Sequence, residues 1–338
     1  MCRSSHPSHR QAPALPRQSR AGSATFEPHQ LTGNIFRLVE HDSFDEHPFI
    51  YIKLYPDVIV IIDTGCNAPH EADSQQVSSL RQFLENVPVP ENNGEPLNPG
   101  GQLPYLILLS HCHYDHIGRL VNFGDAATTV TAVSSALQSD IIAPGHLHQY
   151  SLHAELNLPP PMFPTPLRLL MDGERIQWVH PTNGCAVDLG LQVVTVPGHS
   201  LDSIVILDHM ERVVFLGDSA YESGYLFYAH GSDVARHCNS LKKVERILTG
   251  DHSVPDGERP WIAASGHKTA GIDAIPLLQR TQRFIQDVLR GAITPTEIGN
   301  DHIRHGDIAL LEAGELSMVM PVEQLARSVE EYKITLGT

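Results

Sequence analysis

Four potential metal ligands lie within the six residues from 111 to 116. The segment before them, 105–109, is apolar and predicts a buried strand. Side chains on a loop that leaves a strand end can converge on one point, whereas a continuous helix or strand would spread them over different faces. Imidazole and carboxylate ligands together suit zinc, and they also suit iron or manganese. The four candidates are His111, His113, Asp115 and His116.

Three further potential ligands share a local pattern, in which an apolar segment is followed by glycine and then by the ligand. Glycine lets the backbone turn sharply and approach its neighbours closely at that point. Each of these side chains alone is compatible with an ordinary turn residue. Together they predict a rigid sheet that presents ligands at the ends of several strands. The three candidates are His199, Asp218 and His267, which follow Gly198, Gly217 and Gly266.

The order of these motifs resembles the metallo-β-lactamase superfamily over roughly residues 30–270. The H-x-H-x-D-H string, the later glycine-ligand sites and an early Asp63-Thr-Gly turn occur in the order that this family has. The resemblance implies an α/β fold, built as a four-layer αββα sandwich. It also implies two zinc ions per chain, with iron or manganese as alternatives, and it implies a residue that supports the ligand loop without binding metal, Asp63.

The resemblance divides the ligands between two metal ions. Two ions about 3.5–4 Å apart can share a water molecule and lower its pKa towards neutrality, which gives a hydroxide nucleophile. We therefore expect a hydrolase in which a metal-bridged hydroxide attacks the substrate carbonyl. Asp115 could also carry a proton to the leaving group, so it is a catalytic candidate as well. The first ion would be held by His111, His113 and His199, the second by Asp115, His116 and His267, and both by Asp218.

Tyr221, three residues after Asp218, bears on the substrate. In acyl-homoserine lactonases, which this chain resembles, a tyrosine at that offset donates a hydrogen bond to the substrate carbonyl. A phenol in that position stabilises a developing oxyanion by on the order of a few kcal/mol, although a tyrosine that only packs under the next loop would look the same. An acid at position 218 is typical of lactonase, thioesterase and glyoxalase II relatives and is generally absent from antibiotic-resistance enzymes. We expect a catalytic Tyr221 and ring opening of a small lactone or lactam, including cyclic carbamates.

Fungal relatives of this type serve detoxification or secondary metabolism, and the resemblance carries that implication. Two other activities stay open. An acyl-coenzyme A or acyl-carrier-protein thioesterase would need a basic entrance. Lys242, Lys243 and Arg246 could form one, but the apolar residues between them predict a helix with a solvated basic face. An iron-dependent persulfide dioxygenase on the same fold would need fewer or different ligands.

The elements that must position these residues follow from hydrophobic periodicity. Proline-rich stretches at 87–104 and 143–168 predict loop insertions, and the second could shape the substrate pocket. We expect a disordered tail over 1–28 and a single domain over 29–338. Strands are predicted at 34–40, 49–54, 58–62, 105–109, 191–196, 204–208, 212–216 and 261–264, and helices at 71–86 and 273–290.

Composition limits the partners. The 338 residues carry a net charge of -16, which disfavours binding along a phosphate backbone, and no apolar run is long enough to span a membrane. Five scattered cysteines indicate neither a disulfide framework nor a thiolate zinc site, and suggest the cytoplasm. The first 25 residues lack acids and contain four arginines, so mitochondrial import is an alternative. A small-molecule substrate is expected, with no nucleic acid or membrane partner; the oligomeric state is left open.

Overall fold

The computed structural model of the chain describes residues 25–68, 77, 79–124, 129–134, 144–163, 167–179, 184–229, 231–250, 259–301 and 306–336. The first sheet has seven strands in chain order: β1 (Phe26–Gln30), β2 (Ile35–Glu40), β3 (Phe49–Leu54), β4 (Ile59–Ile62), β5 (Tyr105–Leu108), β6 (Thr129–Ser134) and β7 (Leu167–Leu170). The first four strands are antiparallel, and β4 to β7 run parallel.

The second sheet has six strands: β8 (Arg175–Val179), β9 (Ala186–Thr195), β10 (Ile204–Asp208), β11 (Val213–Gly217), β13 (Ile262–Ser265) and β14 (Ala270–Asp273). Their order in the sheet is β14-β13-β11-β10-β9-β8. A third, four-stranded sheet contains β12 (Gly224–Phe227), β15 (Thr296–Asp301), β16 (Gly306–Ala313) and β17 (Leu316–Pro321), in the order β12-β17-β16-β15. The helices are α1 (Leu80–Asn86), α2 (Tyr114–Ile117), α3 (Pro144–Tyr150), α4 (Val234–Gly250), α5 (Ala274–Leu289) and α6 (Val322–Leu336).

Three apolar clusters give the helix–sheet–sheet–helix order that the resemblance implies. One cluster packs α1 on the outer face of the first sheet, and another lies between the two large sheets. The third joins the second sheet to α4, α5 and the third sheet. Strand β10 shows the alternation that makes this possible, because Ile206 faces the first sheet while Val205 and Leu207 face the helices.

Several elements differ from their predictions. The tail prediction included residues 26–28, but these belong to β1, which pairs with β2; residues 1–24 lie outside the described ones. The helix expected at 71–86 is described only as α1, which begins at Leu80 because the Ser79 side chain caps it, while 69–76 and 78 lie outside. The predicted 143–168 loop contains α3, and its last two residues belong to β7. The extent of the single domain stays a prediction.

Candidate metal centre

The candidate ligands lie just beyond the ends of β5, β9, β11 and β13. Strands β11 and β13 run parallel, so the residues that follow them emerge at the same edge of the second sheet. This places Asp218 and His267 side by side, with the amide of Gly266 donating to the carbonyl of Gly217 over 2.7 Å. The loop after β5 continues directly into the short helix α2, which carries Asp115 and His116.

Three histidines form the first cluster, and all three are buried. The Nδ1 atom of His113 lies 3.1 Å from Nε2 of His111 and 3.1 Å from Nε2 of His199. Burial, followed by the neighbouring imidazole of His199, lowers the pKa of His113 to about 3. The cluster therefore presents neutral ring nitrogens, which is the form that binds a metal ion.

Two histidines and two carboxylates form the second cluster, within 4.8 Å of one another. Nε2 of His267 lies 3.0 Å from Asp115 Oδ2, and Nε2 of His116 lies 3.5 Å from the same oxygen. Burial would lower the pKa of His267, but the charges of Asp218 and Asp115 outweigh it and raise the pKa to about 9. Burial would likewise raise the pKa of Asp115, yet His116 and His267 hold it well below its ordinary value.

Asp218 lies between the two clusters. Its Oδ2 atom is 3.8 Å from Nε2 of His199 in the first cluster and 3.8 Å from Nε2 of His267 in the second. Its Oδ1 atom is 3.2 Å from Nε2 of His116. One carboxylate thus faces nitrogen donors of both clusters, which is the position that a bridging ligand requires.

The donor set fits a pair of metal ions on a test that does not depend on the family. His116 Nε2 and Asp218 Oδ1 are both buried and, among the residues that the structure describes, lack a hydrogen-bond partner, although they face each other. Such atoms are costly to bury unless a further group satisfies them. Imidazole nitrogens and carboxylate oxygens in this number suit zinc, and the same donors are compatible with iron or manganese. The assignment of the seven side chains as ligands stays a prediction.

Asp63, which the resemblance predicts to support the ligand loop, lies within hydrogen-bond distance of that loop. Its carboxylate accepts hydrogen bonds from the Ser110 amide and hydroxyl, each over 2.7 Å. It also lies 2.9 Å from Nδ1 of His116, which directs the opposite ring nitrogen into the site. The Ser110 hydroxyl in turn lies 3.0 Å from Nδ1 of His111. Asp63 therefore orients one histidine directly and a second through Ser110.

Two of the candidate ligand histidines are oriented by backbone carbonyls that the sequence did not predict. Nδ1 of His199 lies 2.8 Å from the carbonyl oxygen of Phe227 on β12. Nδ1 of His267 lies 2.9 Å from the carbonyl oxygen of Glu46 in the loop before β3. Every residue has a carbonyl group, so no side-chain pattern in the sequence marks these two positions.

The glycines before the ligands are required for close approach. A Cβ atom on Gly266 would lie 2.3 Å from Asp218 Oδ1 and 2.7 Å from Cε1 of His116. Gly217 has a φ of +48°, and a Cβ there would lie 2.7 Å from the Ser110 hydroxyl oxygen. A larger residue at position 266 would push into the donor set, and one at position 217 would push against Ser110, which supports His111.

Both clusters face one cavity of about 480 Å³. Tyr221 lines it; burial, followed by the charge of Asp218, raises the pKa of this phenol well above its ordinary value. Of the described residues that line the cavity, Lys268 is the one lysine or arginine, and Asp45 and Glu46 also line it. The remaining wall is largely apolar and contains Leu152, Leu156, Phe227, Leu310 and Val319.

Comparison with known proteins places this site in a family. The family model described as the metallo-beta-lactamase superfamily matches residues 50–253, which include six of the seven candidate ligands. The chain belongs to this superfamily. Its members are generally metal-dependent hydrolases that bind two metal ions. The seventh candidate, His267, lies beyond the matched residues but within the same cluster as Asp218.

Among similar sequences, an Aspergillus versicolor protein named "Putative transcription factor avaE" is 41% identical over 317 residues, 92% of this chain and 90% of that protein. The fungal origin of this relative agrees with the resemblance to fungal members of the superfamily. The Acyl-coenzyme A thioesterase MBLAC2 of Homo sapiens is 27% identical over 239 residues, covering 63% of this chain and 76% of that protein. The Gallus gallus protein of the same name is 28% identical over 199 residues, covering 52% and 67%.

Among solved structures, VMB-1 aligns with a TM-score of 0.51 and 16% identity, covering 79% of this chain and 99% of that one. The DIM-1 metallo-beta-lactamase aligns with a TM-score of 0.50 and 15% identity, covering 78% and 97%. At these identities the likeness confirms the predicted α/β metallo-β-lactamase fold and carries nothing about substrate. No helix among the described residues combines the length and apolar character that a bilayer crossing requires.

Proposed function

We propose that the protein is a binuclear metal-dependent hydrolase that opens the ring of a small, neutral lactone or lactam, cyclic carbamates included. The observation that carries the proposal is the single cavity onto which both clusters open, with Tyr221 beside Asp218. Its volume of about 480 Å³ lies in the range of small-molecule sites. Zinc is the metal that these donors favour.

The chain's own groups divide the work. His111, His113 and His199 would hold one ion, Asp115, His116 and His267 the other, and Asp218 both. Ions in these places would supply Lewis-acid chemistry, polarising a carbonyl and acidifying water. Asp115 lines the cavity as a carboxylate, so it can receive a proton and pass it to the leaving alcohol or amine. Tyr221 lines the same cavity as Asp218, so its phenol can donate a hydrogen bond to the carbonyl oxygen, where negative charge develops.

The charge of the cavity favours a neutral substrate. Coenzyme A carries several phosphate charges, and a site for it would be expected to offer several cations. The described lining contains one, Lys268, against two carboxylates that the metal clusters do not use, Asp45 and Glu46. Lys243, which could belong to a basic patch, is instead hydrogen-bonded to Asp172 over 2.7 Å.

A second candidate function is hydrolysis of an acyl thioester. It is favoured by the names of the two MBLAC2 relatives, which are acyl-coenzyme A thioesterases. Both reactions break an acyl bond by the same chemistry, so the residues of the metal centre do not separate them. The name of the Aspergillus versicolor relative concerns gene regulation, but a net charge of -16 disfavours DNA as a partner of this chain.

The test is a hydrolysis panel on zinc-loaded protein that compares γ-lactones, N-acyl lactams, cyclic carbamates and acyl-coenzyme A thioesters. We expect kcat/KM to be highest for a cyclic ester or amide, and we expect His113→Ala to abolish that activity. Values that favour the thioesters by orders of magnitude would replace the first proposal by the second. A protein that hydrolyses none of the classes, while carrying two zinc ions, would overturn both.

A further inference from the structure

One row of apolar side chains crosses three strands of the third sheet. Phe227 on β12 is the register partner of Val319 on β17, and Val319 is the register partner of Leu310 on β16. Register partners lie on the same face of a sheet. All three residues line the cavity that holds the metal centre, and we call them the apolar row.

The neighbouring row of register partners shows which face of the third sheet is turned towards the cavity. Leu226, Met318 and Leu311 are also register partners across the same three strands. They are at most 1% exposed and belong to the core shared with α4 and α5. Because side chains alternate along a strand, the apolar row must face the other way, into the cavity.

The apolar row lies next to the metal centre. The carbonyl oxygen of Phe227 accepts the hydrogen bond from Nδ1 of His199, so the residue that begins the row also orients a candidate ligand. The amide of the next residue, Tyr228, donates to the Val319 carbonyl over 3.0 Å, which ties β12 to β17 at this point. The third sheet therefore sets the distance between the metal centre and the apolar row.

Two leucines from another part of the chain line the same cavity as the apolar row. Leu152 and Leu156 lie in the turn that follows α3, and they form an apolar cluster with Phe227. The part of the cavity lined by these five side chains is therefore apolar, and the same cavity is lined by candidate metal ligands. A polar or charged group against these side chains would lose its hydration without gaining a partner.

We propose that the apolar row, together with Leu152 and Leu156, binds an alkyl or aryl substituent that the substrate carries beside its scissile carbonyl. This inference rests on the proposed hydrolase function and adds the class of substrate: ring compounds with an apolar side chain of moderate size. The third sheet is then the element that selects the substrate. It lies mostly beyond the residues that define the superfamily, because β15, β16 and β17 all follow residue 253.

The test uses γ-lactones with linear alkyl substituents from methyl to octyl, assayed with zinc-loaded protein. Each added methylene that the row covers should raise kcat/KM by about fourfold, since burying one methylene stabilises a complex by about 0.8 kcal/mol. The increase in kcat/KM should stop at the chain length that extends beyond the apolar row. Calorimetric binding of the matching ring-opened hydroxy acids gives the same series without turnover.

Variants that shorten or lengthen the side chains of the apolar row make the test specific. Leu310→Ala and Val319→Ala should shift the best substituent to a longer chain, and Leu310→Phe should shift it to a shorter one. Val187→Ala is the matched control, because Val187 is 47% exposed on β9 and does not line the cavity. It should keep the wild-type profile, and melting curves verify that every variant is folded.

The outcomes separate this inference from the proposed function. Turnover of lactones with no dependence on chain length, or with one that the variants leave unchanged, overturns the role of the apolar row alone. Absence of turnover in the whole series counts against lactone hydrolysis alone. In that case the binding of the hydroxy acids decides. An affinity that rises with chain length, with a length dependence that changes in Leu310→Phe, still supports the role of the apolar row. An affinity that does not depend on chain length overturns it.

Discussion

Asp63 Oδ2 lies 2.9 Å from Nδ1 of His116 and 2.7 Å from the Ser110 hydroxyl, which itself contacts Nδ1 of His111. His116 and His111 belong to different clusters of the candidate metal centre. A single carboxylate behind the loop therefore fixes one ring in each cluster, and a change there should reach both metal sites.

Asp63→Asn tests this relationship. Asparagine tolerates the φ of +60° at this position, so the backbone can stay in place while the charge is lost. We expect zinc affinity to fall by about 10–100-fold, which is the usual cost of losing such a partner. Competition with a chromophoric chelator measures it. Asp172→Asn, on the surface, serves as the control, and equal affinities in the two variants would contradict the supporting role of Asp63.

Removal of Asp218 should affect metal content more than Asp63→Asn does. Its carboxylate faces both clusters, so Asp218→Ala takes a donor from each. We expect zinc per chain to drop from two to about one after desalting, with kcat/KM reduced by more than about 100-fold. Mass spectrometry of the metal content gives the stoichiometry. Retention of two tightly bound ions would show that Asp218 does not bridge.

Tyr221→Phe removes the phenol that lies beside Asp218. If this group stabilises the developing oxyanion, kcat should fall by about 100-fold, while KM and zinc content change little. Steady-state kinetics on the best ring substrate provide the measurement. Tyr225→Phe is the matched control, since Tyr225 also lines the cavity but is 52% exposed. An unchanged kcat in Tyr221→Phe would leave this residue with a packing role only.

The parts of the fold that sequence predicted well are those with strong local signals. The strand expected at 49–54 is β3 without any shift, and the helix expected at 273–290 is α5 within one residue at each end. Each ligand also follows a strand end as predicted, because an apolar run, a glycine and a polar residue are all local features. The division of the seven candidate ligands between two metal ions came instead from the resemblance to the superfamily, and it stays a prediction.

The parts that sequence missed depend on distant pairing. Strand β12 pairs with β17, about ninety positions later in the chain. Neither strand has a local sequence pattern that predicts this pairing. The third sheet was therefore not predicted, and with it the apolar row and the carbonyl of Phe227 stayed hidden. Helix α3 was missed because Pro144 and the prolines after 158 suggested a continuous loop, although proline is well tolerated in the first turn of a helix.

A buried ion pair joins the two large sheets, and loss of one of its partners should destabilise the protein strongly. Lys53 on β3 and Asp208 on β10 contact each other and are both fully buried. Lys53→Met leaves the carboxylate without its partner, so the free energy of unfolding should fall by about 3–5 kcal/mol. Urea denaturation measures it. Adding Asp208→Asn should recover part of the loss, because it removes the unpaired charge.

The control for this pair is an exposed one. Lys243 and Asp172 are also in contact, but their side chains are 36% and 51% exposed. Lys243→Met should therefore cost at most about 1 kcal/mol. Equal losses in Lys53→Met and Lys243→Met would contradict a special role for the buried pair.

His237 should make stability depend on pH. It is buried behind the site, accepts from the Tyr228 hydroxyl at Nδ1 over 2.6 Å, and donates from Nε2 to the Ser219 carbonyl over 2.9 Å. Burial lowers its pKa from 6.5 to about 3, and the nearby His199 contributes to the decrease. Between these two values the unfolded chain binds a proton that the folded chain does not. The stability that neutral His237 contributes is therefore fully present above pH 6.5 and is lost as pH falls through this window.

The change that isolates this effect is His237→Gln, which keeps a donor for Ser219 but cannot be protonated. Metal-free protein is unfolded with urea at several pH values from 4.5 to 7.5, and the slope of stability against pH is compared between the two proteins. The wild-type slope should exceed that of the variant by up to about 1.4 kcal/mol per pH unit. Other buried histidines, such as His113, titrate in both proteins and cancel in the comparison. Identical slopes would mean that His237 is protonated inside the fold, and its hydrogen bonds to Tyr228 and Ser219 would then need a different assignment.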